Sequence, residues 1–165
     1  MTATLPDAPP PSAPRPGARE ALASFLHRTA MDTRDDRVVA GIRDLVPQAD
    51  SILDVGCSGG RLAVRIAAAL GATDVRGADV QLQPDALIPV SVYDGSHLPF
   101  PDREFDLVTI IDVLHHADDP LAVVRESLRV LKPGGRIVVK DHLRLGTWSK
   151  WVLLGMDTAS NFGVH

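Results

Sequence analysis

Residues 51–60 read SILDVGCSGG, an apolar run that contains one acid and ends in a turn with three glycines. Apolar residues at consecutive positions predict a strand covered on both faces, as in a parallel sheet. Glycines let the backbone come close to a ligand, and a helix that starts near Gly60 offers free N–H groups to an anionic group. A tight turn between packed elements is the alternative interpretation of the glycines.

Strand-like and helical runs alternate after this turn. Residues 74–80, 89–94, 105–112 and 136–142 are the further predicted strands. Residues 60–70 form a helical run that Gly71 ends, and a second helix starts at Asp119 as N-cap with Pro120 in its first turn. Its apolar face is predicted to contain Leu121, Val124, Leu128 and Leu131. The alternation predicts an α/β fold with a doubly wound, mainly parallel sheet and helices on both faces, with ligands at the carboxyl ends of the strands.

The chain before this core has two parts. Residues 1–17 are proline-rich and poor in bulky apolar side chains, so we expect a disordered tail. Residues 18–47 are predicted to form helices in two segments, with apolar faces made by Leu22, Phe25 and Leu26 and by Val38, Val39, Ile42 and Leu45. A single domain is therefore expected over residues 18–165, with its ligand-binding core at 50–142.

Composition narrows the class of protein. A chain of 165 residues with 45% hydrophobic content can bury a sizeable core as one domain. The net charge of −4 and the lack of a Lys/Arg block argue against nucleic acid and against an anionic membrane surface as partners. Since the single cysteine, Cys57, cannot form an internal disulfide and no signal peptide or membrane-spanning run is visible, we expect a cytoplasmic protein.

Two aspartates lie at successive predicted strand ends. Asp79 follows Gly56 by 23 residues and suits a carboxylate that accepts both hydroxyls of a ribose. Asp94 precedes Gly95, and a carboxylate beside a bare amide can bind an adenine amino group and its neighbouring ring nitrogen. Each aspartate alone is equally consistent with a loop cap. A dinucleotide is disfavoured, because Ser58 and Arg61 stand where G-x-G-x-x-G needs glycine.

The joint pattern resembles the class I S-adenosylmethionine-dependent methyltransferases of the small-molecule type. The stretches that carry the resemblance are ILDVGCSGGRLA (52–63), GADV (77–80), DGSHLPFPDREFDLV (94–108) and VLHHADDP…LRVLKPGG (113–135). The resemblance covers about residues 50–140. It implies a Rossmann-like fold, S-adenosylmethionine as cofactor and a small-molecule methyl acceptor.

The resemblance also implies roles at matching positions. Gly56 and Gly60 would flank the methionine part of the cofactor, and the backbone around Asp112 would face its amino group. Asp54 would either order the glycine turn by bonding its amides or contact the cofactor. Ser58 stands where the family has glycine, so a positive φ there would be strained. The full set of expected cofactor-binding residues is Asp54, Gly56, Ser58, Gly60, Asp79, Val80, Asp94, Gly95 and Asp112.

Methyl transfer requires little of side chains beyond positioning. His116 lies four residues after Asp112 and matches a position where some relatives use a catalytic histidine, so it is the predicted catalytic residue, with capping or packing as the alternative. The other candidates are His115, Asp141 and His142. Cys57 is not expected to be a nucleophile, since no histidine is adjacent in sequence, and no metal ligand is assigned.

The chain after residue 142 is predicted to be incomplete. Residues 143–165 show an apolar helical stretch but no pair of strands joined by a turn, so the antiparallel hairpin that the resemblance implies is expected to be missing. The strand at 136–142 would then be an open edge, which predicts a truncated chain that self-associates through this edge. Trp148, Trp151 and the apolar residues 152–154 form either an acceptor-pocket wall or core. The alternative function is a non-catalytic cofactor-binding or regulatory domain with the same fold.

Overall fold

The computed structural model of the chain describes residues 18–142 and 149–154, with side chains described for residues 29–141. The helices are α1 (Ala18–Leu45), α2 (Arg61–Leu70) and α3 (Pro120–Val130), and a short 3₁₀ helix covers Leu114–His116. The strands are β1 (Ser51–Val55), β2 (Asp74–Asp79), β3 (Val90–Val92), β4 (Phe105–Ile111), β5 (Leu131–His142) and β6 (Ser149–Leu154). The two helical segments predicted over residues 18–47 are one continuous helix.

The chain divides after Asp35 into two compact units. In the first unit α1 runs from Ala18, and the hydroxyl of Thr33 donates to the carbonyl of Thr29 one turn earlier (2.9 Å). The second unit begins at Asp36 and contains all of the strands. None of the helices in the described part of the chain is long and apolar enough to cross a membrane.

The strands form one sheet in the order β3-β2-β1-β4-β5-β6. The first five are parallel and β6 is antiparallel to β5. From β1 the chain moves outward to β2 and β3 and then returns to β4 on the other side of β1. The predicted doubly wound, mainly parallel sheet is confirmed, and its order reverses between β1 and β4.

The sheet is apolar on both faces because helices cover both. Ile52 of β1 packs with Ile42 of α1 and Ile66 of α2 on one face. Its neighbour Leu53 belongs to the opposite cluster, which contains Val123 of α3. All five residues of β1 are buried. Continuous apolar runs, rather than alternating ones, are the sequence signature of such doubly covered strands.

The termini of the two core helices lie where their sequences predict, and the predicted apolar face of α3 is correct in part: Val124 and Leu128 pack against the core, whereas Leu121 is exposed. Gly71 ends α2 in a left-handed conformation, and Asp119 caps α3 by accepting from the amides of Leu121 and Ala122 (both 3.0 Å). The residues of α3 that are buried are Val123, Ser127 and Val130. Leu121 is 64% exposed, because two residues turn a helix by about 200° and place it opposite Val123. Leu131 already belongs to β5.

Two predictions for the end of the chain, the apolar helical stretch and the open edge of β5, were wrong. Residues 149–154 form strand β6, not a helix, and pair with β5 from Ile137↔Leu154 to His142↔Ser149. The edge of β5 is therefore paired, and the self-association predicted from its unpaired backbone groups loses its basis. Residues 143–148 and 155–165, which include Trp148, lie outside the described residues.

Candidate functional site

A cleft of about 700 Å³ lies at the carboxyl ends of the parallel strands, where the sheet order reverses. Segments that follow β1, β2, β3 and β4 all contribute to it. The lining residues are Gly56, Asp79, Val80, Tyr93, Asp94, Gly95, Ser96, Asp112, Val113, His116, Ala117, Asp118 and Asp119. Seven of the predicted site residues thus meet in one place, namely Gly56, Asp79, Val80, Asp94, Gly95, Asp112 and His116.

The glycine turn after β1 is tightly packed against other parts of the chain. Gly56 has φ +71°, and a Cβ added to it would lie 2.3 Å from a methyl group of Val113. Gly60 has φ +75°, and its added Cβ would lie 2.5 Å from Ile88. The two glycines are required by the fold itself, in addition to any ligand that approaches the turn.

Ser58 takes the left-handed conformation that its position suggested. Its φ is +51°, in the region where a side chain costs roughly 1–2 kcal/mol. Gly59 beside it does not relieve this, since its φ is outside that region. The conformation lets the Ser58 amide donate to Oδ2 of Asp79 (2.7 Å).

Asp79 connects the glycine turn to the end of β2. Besides the amide of Ser58 on Oδ2, it accepts from the amide of Gln81 on Oδ1 (3.2 Å). Val80, which follows it, is 63% exposed and lines the cleft. Asp79 is therefore held in place by backbone amides on both sides while it faces the cleft.

Asp94 caps its own loop. Its Oδ1 accepts from the amides of His97 and Ser96 (both 2.8 Å) and from the Ser96 hydroxyl (2.9 Å). These bonds, that of His97 first, lower the pKa of Asp94 to about 2, so its carboxylate is charged at neutral pH. Gly95 beside it has φ +85°. Oδ1 of Asp94 thus acts as the loop cap that was the alternative interpretation. Asp94 also lines the cleft.

Asp54, Ser58 and Gly60 lie outside the cleft lining. Asp54 is buried and accepts a 2.6 Å hydrogen bond from the hydroxyl of Thr109. Burial raises its pKa to about 6, the Thr109 bond opposes this, and the charge of Asp79 adds to it. Asp54 was predicted to accept hydrogen bonds from the amides of the glycine turn. The amide of Ser58 in that turn donates to Asp79 instead.

Asp112 at the end of β4 is paired with a lysine that sequence reasoning missed. Its φ is +57°, and its amide donates to the carbonyl of Lys140 (2.6 Å). The ammonium of Lys140 lies 2.7 Å from each oxygen of the Asp112 carboxylate. The sequence signal was a lysine within the apolar run of a doubly covered strand, where a charge needs a partner.

Two histidines lie side by side in the 3₁₀ helix after β4. His116 lines the cleft, and its ring centre is 3.8 Å from that of His115. Asp141 at the end of β5 holds His115 twice, with Oδ1 2.5 Å from ring Nδ1 and Oδ2 accepting from the backbone amide (3.2 Å). The candidates His115 and Asp141 are thus a pair, which the sequence did not predict. The side chain of His142 lies outside the described residues.

Cys57 is a buried thiol. Burial first, and then the charges of Asp54 and Asp79, raise its pKa to about 12. Such a thiol stays protonated at neutral pH, and the protonated form is a poor nucleophile. Within residues 29–141, no group of three or more His, Cys, Asp or Glu side chains could hold a metal ion.

The sequence of the chain is similar to those of known methyltransferases. A family model described as a methyltransferase domain matches residues 53–139. The 27-O-demethylrifamycin SV methyltransferase of Amycolatopsis mediterranei is 34% identical over 106 residues, which cover 57% of this chain and 39% of that protein. The demethylmenaquinone methyltransferase of Bacillus licheniformis is 35% identical over 104 residues, which cover 56% of this chain and 45% of that protein.

Solved structures show the same fold. The cyclase SpnF superposes with a TM-score of 0.58 at 29% identity, over 64% of this chain and 44% of that chain. The chain spans about two fifths of the length of the first curated relatives it matches.

Proposed function

The chain belongs to the class I S-adenosylmethionine-dependent methyltransferases, and we propose that it moves a methyl group from this cofactor to a small-molecule acceptor. The observation that carries the proposal is the charge of the cleft. Five of its lining residues are aspartates, of which Asp112 is paired with Lys140, and no described lining residue is lysine or arginine. A cationic sulfonium is attracted to such a site, whereas the pyrophosphate of a dinucleotide is repelled. The related rifamycin and menaquinone enzymes are both named for small organic acceptors.

The side chains of the cleft fit the parts of the cofactor. Asp79 is an acceptor for the two ribose hydroxyls, since an ionised carboxylate accepts through both oxygens. Asp94 and the amide of Gly95 offer an acceptor and a donor side by side to the edge of an adenine ring. Val80 and Val113 supply apolar contact on the cleft wall.

When bound, S-adenosylmethionine supplies an electrophilic methyl group. The residues of the chain hold cofactor and acceptor in line, and such positioning can contribute roughly 7–11 kcal/mol. The acceptor proton passes to His116, which lines the cleft. The pair of Asp141 and His115 beside it fixes the turn that carries His116, because Asp141 bonds both the backbone and the ring of His115.

Isothermal titration tests the proposal directly. S-adenosylmethionine and S-adenosylhomocysteine are expected to bind, and NAD is expected to give no binding heat, because its pyrophosphate would meet the aspartates of the cleft. A screen of small acceptors, which includes quinones and rifamycin-type compounds, with labelled cofactor then measures transfer. Binding of NAD as tight as that of S-adenosylmethionine would contradict the proposal, and binding without transfer to any acceptor would favour a non-catalytic cofactor-binding domain.

His116→Ala is expected to lower turnover by up to about 10⁴-fold, the upper range for a general base, while cofactor affinity stays close to that of the wild type. The reason is that the proposed contacts to the adenosine come from Asp79, Asp94 and Gly95. Turnover with an identified acceptor and titration of the cofactor measure the two effects separately. His97→Ala is the matched control, because this exposed histidine pairs with Glu126 and lies outside the cleft lining. Equal losses of affinity and turnover in His116→Ala would assign the histidine a structural role.

A further inference from the structure

Lys140 lies at the end of β5 with its side chain only 8% exposed. Lysine is rarely buried unless its charge is paired. Here the ammonium lies 2.7 Å from both oxygens of Asp112, which is itself 13% exposed at the side chain. Two charges in such a setting depend on each other, since removal of either takes a charged partner from the other in a buried place.

The partner of Lys140 has an unusual backbone. Asp112 has φ +57°, a conformation that a residue with a side chain keeps only when its surroundings hold it. Lys140 supplies that hold at three points, through its ammonium on the two carboxylate oxygens and through its carbonyl on the Asp112 amide (2.6 Å). The register Ile111↔Lys140 between β4 and β5 brings the two residues together.

The conformation of Asp112 determines where Val113 lies. Val113 packs so closely on the glycine turn that a Cβ on Gly56 would be 2.3 Å from it. Asp112, Val113 and Gly56 all line the cleft. The wall between the end of β1 and the end of β4 is thus fixed on one side by the glycine turn and on the other by the hold of Lys140 on Asp112.

We propose that Lys140 is a positioning residue for cofactor binding: through Asp112 it fixes the wall of the cleft beside the glycine turn. This inference rests on the proposed function, since it assigns to Lys140 a part in binding S-adenosylmethionine. Lys140 acts through Asp112 and Val113 and does not itself line the cleft.

The test compares four variants of the full chain by cofactor titration, by turnover at saturating cofactor and by thermal unfolding. Lys140→Met is expected to weaken S-adenosylmethionine binding about tenfold or more, because binding would then have to order the wall, and an ordering cost of about 1.4 kcal/mol is tenfold in Kd. Turnover at saturating cofactor should fall by less than the affinity does: the variant keeps the His116 imidazole, although the His116 amide bonds to the carbonyl of Val113 in the wall (2.9 Å). Asp112→Asn should weaken binding similarly, since it leaves the Lys140 ammonium buried without its carboxylate.

The double variant Lys140→Met/Asp112→Asn leaves no buried charge without a partner, so it is expected to recover Tm relative to the single variants. Its cofactor affinity should stay low, because the hold of the ammonium on the Asp112 carboxylate is gone. Lys132→Met is the matched control: Lys132 also pairs with an aspartate (Asp106, 2.9 Å), but this pair lies at the other end of β4 and outside the cleft. It should lower Tm and leave cofactor affinity unchanged.

The outcomes separate the inference from the proposed function. Failure of the wild type to bind S-adenosylmethionine would contradict the proposed function. A wild type that binds, together with a Lys140→Met variant that loses only Tm as Lys132→Met does, would overturn the inference. If Lys140→Met does not fold, the double variant decides: recovered folding with weakened binding supports the inference, and recovered folding with wild-type affinity overturns it.

Discussion

Asp79→Ala is expected to remove most of the affinity for S-adenosylmethionine. The two ribose hydroxyls would lose their charged acceptor, a loss of roughly 1.5–3 kcal/mol, which is about 10- to 150-fold in Kd. A second effect adds to it, because the amide of Ser58 would lose the carboxylate that holds the glycine turn to β2. Cofactor titration measures the affinity, and thermal unfolding shows whether the variant remains folded.

Asp85→Ala is the matched control for this variant. Asp85 is an exposed carboxylate in the same loop after β2, and it lies outside the cleft lining. Its removal changes the net charge equally and should leave the affinity unchanged. Asp79→Asn separates the two effects, since an amide oxygen can still accept from Ser58 while the ionised acceptor is gone. Wild-type affinity in Asp79→Ala would show that the ribose assignment is wrong.

The parallel part of the fold was predictable because its signals are local. A doubly covered strand such as β1 is recognisable from five consecutive positions, and the start of α3 from Asp119 and Pro120. Strand β6 gave no such signal. Its residues become a strand through pairing with β5, and local patterns alone therefore predicted a helical stretch and an open edge in its place.

The candidate site likewise has residues that were predictable from local sequence and residues that were not. Gly56, Asp79 and Asp94 were predictable, because they end strands and the carboxyl ends of parallel strands meet at one edge. The pairs Lys140 with Asp112 and Asp141 with His115 were not. Both depend on the register that sets the end of β5 beside the end of β4, and register is not readable from either strand alone. The residues that touch a ligand were therefore easier to predict than those that hold them.

Gly56→Ala is expected to have the largest effect on the fold and on cofactor binding together. An alanine at φ +71° is strained by roughly 1–2 kcal/mol, and its Cβ would lie 2.3 Å from a methyl group of Val113. Forcing atoms into a packed site typically adds about 1–3 kcal/mol. The variant should therefore lose about 2–5 kcal/mol of unfolding free energy, a large part of the total stability of a typical domain. It should also bind S-adenosylmethionine more weakly, because the turn and Val113 both line the cleft.

Variants at two further glycines and at Val113 separate the cost of backbone strain from the cost of steric overlap with Val113. Gly71→Ala has the same strain at φ +73°, but nothing lies within 4 Å of the new Cβ. It should therefore lose only the unfolding free energy that the backbone strain costs, and it should keep full cofactor affinity. Gly59→Ala has neither backbone strain nor steric overlap, so its free energy of unfolding should be close to that of the wild type. Val113→Ala removes the two methyl groups nearest to the new Cβ, so Gly56→Ala/Val113→Ala should lose less stability than the sum of the single variants. Additive losses in this cycle, or a Gly56→Ala variant as stable as Gly71→Ala, would show that the glycine turn does not rest on Val113 and that the wall of the cleft is fixed by other contacts.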